Sequence, residues 1–173
     1  MSAPLEIERK YLIDRPDEAM LASLPGAVFF DIKQTYLIAF ADGEGRRVRE
    51  KTDMRGRRTY IETVKRRQSE RTAEEYEHTI TRAEYEELLL LRDPERRTVL
   101  KRRYVIPHGE YRLEVDLYPF WKRTAVLEVE LSHEDEEVDF PDFLHILREV
   151  SDDKAFKNRS LALRVPREED IRP

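Results

Sequence analysis

Charged residues recur along this chain in like-signed sets spaced two positions apart. Glu6 and Glu8 precede Lys10, Arg47 and Arg49 flank Val48, and Thr63 and Lys65 flank Val64. Glu75 and Glu77 flank Tyr76, and Lys101 and Arg103 flank Arg102. Arg112, Glu114 and Asp116 alternate with Leu113 and Val115, and Glu128 and Glu130 alternate with Leu127 and Val129. On a strand, such residues share one face about 7 Å apart, where like charges repel. A wetted face of a half-buried sheet is the ordinary reading for any one strand. A wetted face, however, mixes signs and carries Thr, Ser and Gln, whereas here strands tend to contribute one sign in pairs. Acidic pairs suit hard divalent cations such as Mg²⁺ or Mn²⁺, which prefer carboxylate oxygen. Basic pairs from facing strands suit phosphate oxygens, Arg by its planar fork and Lys as a point charge. A polyanion partly neutralised by metal needs both, and phosphoryl-transfer sites have this composition.

The elements that would carry these residues are mostly strands. Alternation predicts strands at Leu5–Ile13, Phe29–Phe40, Arg46–Asp53, Arg57–Arg66, Thr72–Ile80, Thr98–Ile106, Glu110–Tyr118 and Thr124–Leu131. Asp42-Gly43, Arg55-Gly56 and Pro107-His108-Gly109 supply turn chemistry. Eight such strands suggest an antiparallel meander; if it closes, the charged face becomes the inside of a barrel and helices must cover the apolar outside. Asp14 can cap a helix from Pro16 to Leu24, and Thr81 with Glu84 forms a capping-box pattern. Pro141 opens a short helix carrying Phe143, Leu144 and Leu147, and a further turn or two falls between Asp153 and Leu163. The tail from Arg167 to Pro173 is polar and expected to be loose.

Of 173 residues, 37 are acidic and 32 basic, so 40% of the chain is charged at a net charge of only −5. The near-cancelling signs and 39% apolar content predict a folded chain rather than a disordered one, and one domain over 1–173 with a core at about 4–165. No run approaches the roughly 18 apolar residues of a membrane span, and the start has no secretory core. With no cysteine there is no disulfide, thiolate–zinc site or thiol nucleophile. A cytoplasmic protein with neither a membrane nor a nucleic-acid partner is expected, as monomer or homodimer. His78, His108, His133 and His145 are scattered, with none at metal-ligand spacing. Ser69 and Ser160 lie in no nucleophile-elbow context. Trp121, after Tyr118-Pro119-Phe120, reads as a packing anchor at the barrel end.

Glu6-Ile7-Glu8-Arg9-Lys10 resembles the E-x-E-x-K signature of the CYTH superfamily, the triphosphate tunnel metalloenzymes. Gln34-Thr35-Tyr36-Leu37, Arg47-Val48-Arg49, Thr63-Val64-Lys65, Glu75-Tyr76-Glu77, Lys101-Arg102-Arg103-Tyr104, Glu114-Val115-Asp116 and Leu127-Glu128-Val129-Glu130 follow in the family's order. So does the closing run from Glu149 through Lys154 and Asn158 to Ala162. The resemblance implies an α+β, mainly β fold, an eight-stranded antiparallel closed tunnel with helices outside, and one or two Mg²⁺ or Mn²⁺ ions. It implies triphosphate binding by Lys10, Arg47, Arg49, Lys65, Lys101, Arg103 and Lys154, and metal binding by Glu6, Glu8, Asp116, Glu128 and Glu130. Lys101, Glu75 and Glu77 would be catalytic, the two glutamates supporting the metals or the attacking water. Phe156 departs from the pattern, since short bacterial members often carry Tyr there. The implied activity is metal-dependent hydrolysis of a triphosphate, inorganic triphosphate first, with nucleoside triphosphates also admitted. Alternatives are a class IV-type adenylyl cyclase, a thiamine triphosphatase, or a non-catalytic binder of polyphosphate or nucleotide.

Overall fold

The structure, a computed structural model, describes residues 7–67 and 73–173. Glu6, Ser69 and the strand starts expected at Leu5 and Thr72 lie outside the described residues. The elements run β1 Ile7–Asp14, α1 Glu18–Ser23, β2 Val28–Leu37, β3 Glu44–Asp53, β4 Arg58–Arg67, β5 Ala73–Ile80 and α2 Arg82–Leu89. They continue with β6 Val99–His108, β7 Tyr111–Leu117, β8 Thr124–Leu131, β9 Ile146–Glu149, a 3₁₀ turn Lys154–Phe156, α3 Asn158–Leu161 and α4 Glu168–Ile171. No described helix is long and apolar enough to cross a membrane.

All eight expected strands form, and their turns follow the chemistry of the sequence. Asp53 accepts from the backbone N–H of Arg55 and of Arg57, both at 2.9 Å, and Gly56 takes the positive φ of 78° that the β3–β4 turn requires. The sheet is antiparallel in the order β5-β4-β3-β2-β6-β7-β8-β1-β9. It is a meander only in two blocks, because the connection through α1 carries the chain past three strands.

Two expectations are corrected here: the sheet has nine strands rather than eight, and among the described residues it is not closed. The ninth strand replaces the helix expected from Pro141. Leu144 packs with Tyr11 and Ile13 on one face of the sheet, while Leu147 packs with Leu12 on the other. That is strand alternation, and the free edge of β1 selects it by offering backbone partners. Asp14 N–H donates to His145 O at 3.0 Å, and Val150 N–H to Lys10 O at 2.7 Å. With β9 on that edge, β1 has none left for β5. The sheet nevertheless curls strongly. Leu12 of β1 and Tyr36 of β2 share one buried cluster, whereas a flat sheet would hold them about 19 Å apart across the intervening strands.

The outer face carries two apolar clusters. Tyr11, Ile13, Leu113, Val115, Leu127 and Val129 lie with Leu21 of α1, and Leu37, Val48 and Ile80 lie with Tyr85 of α2. Helix α2 starts at the expected capping box of Thr81 and Glu84. Helix α1 is capped by Asp17, not Asp14, whose carboxylate instead meets Arg172 and His145. The tail is docked rather than loose. Ile171 is buried, Trp121 Nε1 donates to Pro166 O at 3.0 Å, and Glu168 accepts from Arg123 N–H at 2.6 Å. One isoleucine in a polar run is too faint a sequence signal to announce that contact.

Candidate active site

The concave inner face is built in layers, because every second residue of each curled strand points into it. The innermost layer is apolar. Leu12, Tyr36, Val99, Tyr118 and Val126 pack there against Trp121, Val150, Phe156, Leu161 and Ile171, so the C-terminal segment stoppers one end. Trp121 is the packing anchor its context suggested. Phe156 is buried there, its ring 6.2 Å from Trp121 and beneath the Arg148 guanidinium at 5.3 Å.

Two charged layers follow. In the first, Lys10 Nζ lies 3.1 Å from Glu128, Lys101 Nζ donates to Asp116 at 2.6 Å, and Arg47 donates to Glu75 at 3.2 Å. In the second, Arg103 Nη1 meets Glu114 at 2.5 Å, and Arg49 donates to Glu77. Arg103 also binds back into the first layer, at 2.6 and 2.7 Å to Asp116 and 2.8 Å to Glu128. Lys65 Nζ stands 3.9 Å from Glu75, and Thr63 donates to Glu77 at 3.3 Å. The sign-sorted pairs thus form two banks. One, on β1, β6, β7 and β8, holds Lys10, Lys101, Arg103, Glu8, Glu114, Asp116, Glu128 and Glu130. The other, on β3, β4 and β5, holds Arg47, Arg49, Lys65, Glu75 and Glu77. Strand β2 separates them with neutral residues, and its buried Gln34 donates to Tyr36 Oη at 2.6 Å.

The banks differ in burial. The side chains of Lys101 and Asp116 are 3% and 0% exposed, while Glu77 is 48% exposed. Burial opposes the charge of Asp116, but Arg103 and Lys101 outweigh it and hold the carboxyl well below the usual carboxylate range. Burial and then Arg103 pull the Lys101 ammonium down. Burial, then Arg47 and Arg103, pull Arg49 down, so the banks stand within electrostatic reach of one another. Glu8 keeps surface open to solvent, yet enough protein surrounds its carboxyl that burial, and then the charge of Glu128, push it up to about 7. Arg47 Nε and Arg49 Nε are among the buried donors that have no acceptor.

The structure therefore gathers the expected cations Lys10, Lys101 and Arg103 in one bank and Arg47, Arg49 and Lys65 in the other. Glu75 and Glu77 hold the second bank's cations. Glu130 pairs in register with Glu8 and is exposed. Lys154 is exposed in the 3₁₀ turn and makes no ion pair among the described residues. Two residues join to which the motifs assign no site role. Glu114 lies two before Asp116 on the same face, a signal the alternation carried. Arg159, in the closing segment, lays its guanidinium 5.9 Å over the Tyr36 ring. The histidines do not converge: His78 lies 3.4 Å from Glu62 outside, and His108 shares a hydrogen bond with Asp139 O at 2.6 Å. Among the described residues, no three Asp, Glu or His side chains are placed to hold a metal ion.

No protein-family model matches the chain, and no curated protein does. Solved structures do. The inorganic triphosphatase NE1496 is 28% identical, with 96% of this chain and 100% of that one covered, at a TM-score of 0.60. A second structure of it, described as the hypothetical protein NE1496, matches at 28% identity over 93% and 99% of the two chains, with a TM-score of 0.57. The PH1012 protein from Pyrococcus horikoshii OT3 shares the fold at 18% identity, over 75% and 80% of the chains, at a TM-score of 0.50. In its ordered motifs, its curled antiparallel sheet and its likeness to an inorganic triphosphatase, the chain fits a member of the CYTH superfamily, the triphosphate tunnel metalloenzymes.

Proposed function

We propose that the protein hydrolyses inorganic triphosphate to pyrophosphate and phosphate between the two banks, with the help of Mg²⁺ or Mn²⁺. The observation that carries this reading is the facing cations of Arg47, Arg49 and Lys65 against Lys10, Lys101 and Arg103, with the Nε donors of Arg47 and Arg49 left unsatisfied. Unmatched buried donors need an acceptor, and phosphate oxygens arriving in the trough would supply it. A chain of phosphates lying along the two layers could be held from both sides and kept in line for attack. Glu75 and Glu77 keep the Arg47 and Arg49 forks aimed inward. The apolar stopper closes one end to water and directs substrate to the other.

The donor set suits a hard divalent cation. Among the described residues Glu8 and Glu130, opposite one another in register, are the inward carboxylates in no ion pair and fit it best, and burial followed by the charge of Glu128 raises the Glu8 carboxyl. Asp116 and Glu128 fit it least, since both oxygens of Asp116 are taken by Lys101 and Arg103 and both oxygens of Glu128 by Lys10 and Arg103, while Glu114 is held by Arg103. Bound there, such an ion supplies charge neutralisation at the phosphates and a water of lowered pKa.

The test is phosphate release from inorganic triphosphate, ATP and thiamine triphosphate with Mg²⁺ or Mn²⁺, alongside an assay for cyclic AMP. Arg49→Ala is the informative variant, because Lys101→Ala would also unbalance the buried Asp116. Loss of one charge-stabilising contact of this kind lowers turnover by about 10²–10³-fold. Wild-type rates in Arg49→Ala, cyclic AMP as product, or tight binding without turnover would each overturn the reading.

A further inference from the structure

The β3 ladder has one more rung than the two charged layers use. Arg47 meets Glu75 and Arg49 meets Glu77, both diagonally across β4. The next inward residue of β3 is Lys51, about 7 Å further toward the open end, and the same diagonal leads to Thr79, which carries no charge. Among the described residues Lys51 has no ion pair and no side-chain hydrogen bond. Its ammonium instead rests 4.4 Å over the ring of Phe30, which also faces inward, opposite Arg103. Lys51 is half-buried and stands within electrostatic reach of Arg49, Arg103, Glu77 and Glu114. A half-buried cation placed beside two others, with no carboxylate in contact, is poorly matched by the protein alone. The aromatic face offsets only part of that.

We propose that Lys51, positioned by Phe30, forms an outer subsite for a phosphoryl group beyond the third, so that the trough prefers linear tetraphosphate to triphosphate. This rests on the reading of the trough as a triphosphate site. The ring of Phe30 is covered by the ammonium, so an anion rather than a stacked base is the matched occupant. Longer linear polyphosphates would thread outward past the same residue.

Calorimetric binding of linear tetraphosphate and of tripolyphosphate, without divalent cation, tests the subsite apart from turnover. The wild type should bind tetraphosphate at least about tenfold more tightly than triphosphate, and Lys51→Met should bring that ratio close to one. Thr79→Glu, which supplies the missing carboxylate on the exposed edge strand β5, should reduce the ratio with Lys51 intact, so the outcome does not hang on one variant's folding. Equal affinities in the wild type, or a preference that survives both substitutions, overturns the subsite. A lysine-dependent preference in a protein that hydrolyses neither compound upholds the subsite and removes the hydrolytic function.

Discussion

Removing Asp116 should separate the structural role of the buried bank from that of the exposed one. Its side chain has no exposed surface and accepts from Lys101 at 2.6 Å and from Arg103 at 2.6 and 2.7 Å. In Asp116→Ala, Lys101, itself 3% exposed, loses its hydrogen-bonded counter-charge, and Arg103 keeps only Glu114 and Glu128. Breaking a buried pair from one side costs about 3–5 kcal/mol. At this chain length each kcal/mol is about 2–4 °C in Tm, so Tm should fall by roughly 10 °C. Glu77→Ala breaks a pair whose acid is 48% exposed and should cost about 1 kcal/mol or less. Thermal and urea unfolding followed by the fluorescence of Trp121, the single Trp and buried in the stopper, reads both variants. Tripolyphosphate at about a hundred times its Kd should restore about 2.7 kcal/mol, since it returns negative charge to the same cations. Equal costs for the two variants, or a near-wild-type Tm for Asp116→Ala, would refute the assignment of Asp116 as the buried counter-ion.

Thr81→Ala removes the capping box of α2 and should cost about 1 kcal/mol with kcat unchanged, measured by urea unfolding and phosphate release; a lowered kcat would tie α2 to the site. Phe156→Tyr adds a hydroxyl among Trp121, Leu161 and Ile171 and should destabilise by about 1–3 kcal/mol for want of a partner, so unchanged stability would mean that a partner is within reach. Asp14 is held below its ordinary value by Arg172 first and His145 second. Because its folded-state pKa is depressed, its contribution is present above about pH 4 and is lost as pH falls through the folded value. The stability difference between wild type and Asp14→Asn should therefore be at most about 1 kcal/mol at pH 6 for this partly exposed group and shrink on acidification; a pH-independent difference would exclude Asp14 as the source.

What could be read before folding was what depends on a period of two. Alternation located eight strands, put Lys10, Arg47, Arg49, Lys101, Arg103, Glu114 and Glu128 on a common face, and placed the apolar clusters of Tyr11 and Val48 on the other. The capping box at Thr81 was equally legible, because its hydrogen bonds span three residues. Pairings between distant segments were not. The apolar spacing of Phe143, Leu144 and Leu147 suits a helix as well as a strand, and only the unpaired edge of β1 chose β9. Ile171 found its place because the curled sheet left an apolar end to cover. Nor does alternation say which acid meets which base: that Arg47 and Arg49 reach Glu75 and Glu77 while Lys51 reaches none follows from the diagonal that curvature imposes across β4. Local periodicity chose the residues that face inward, and tertiary curvature decided which charges meet, because side-chain direction repeats along one strand whereas charge matching depends on how several strands pack.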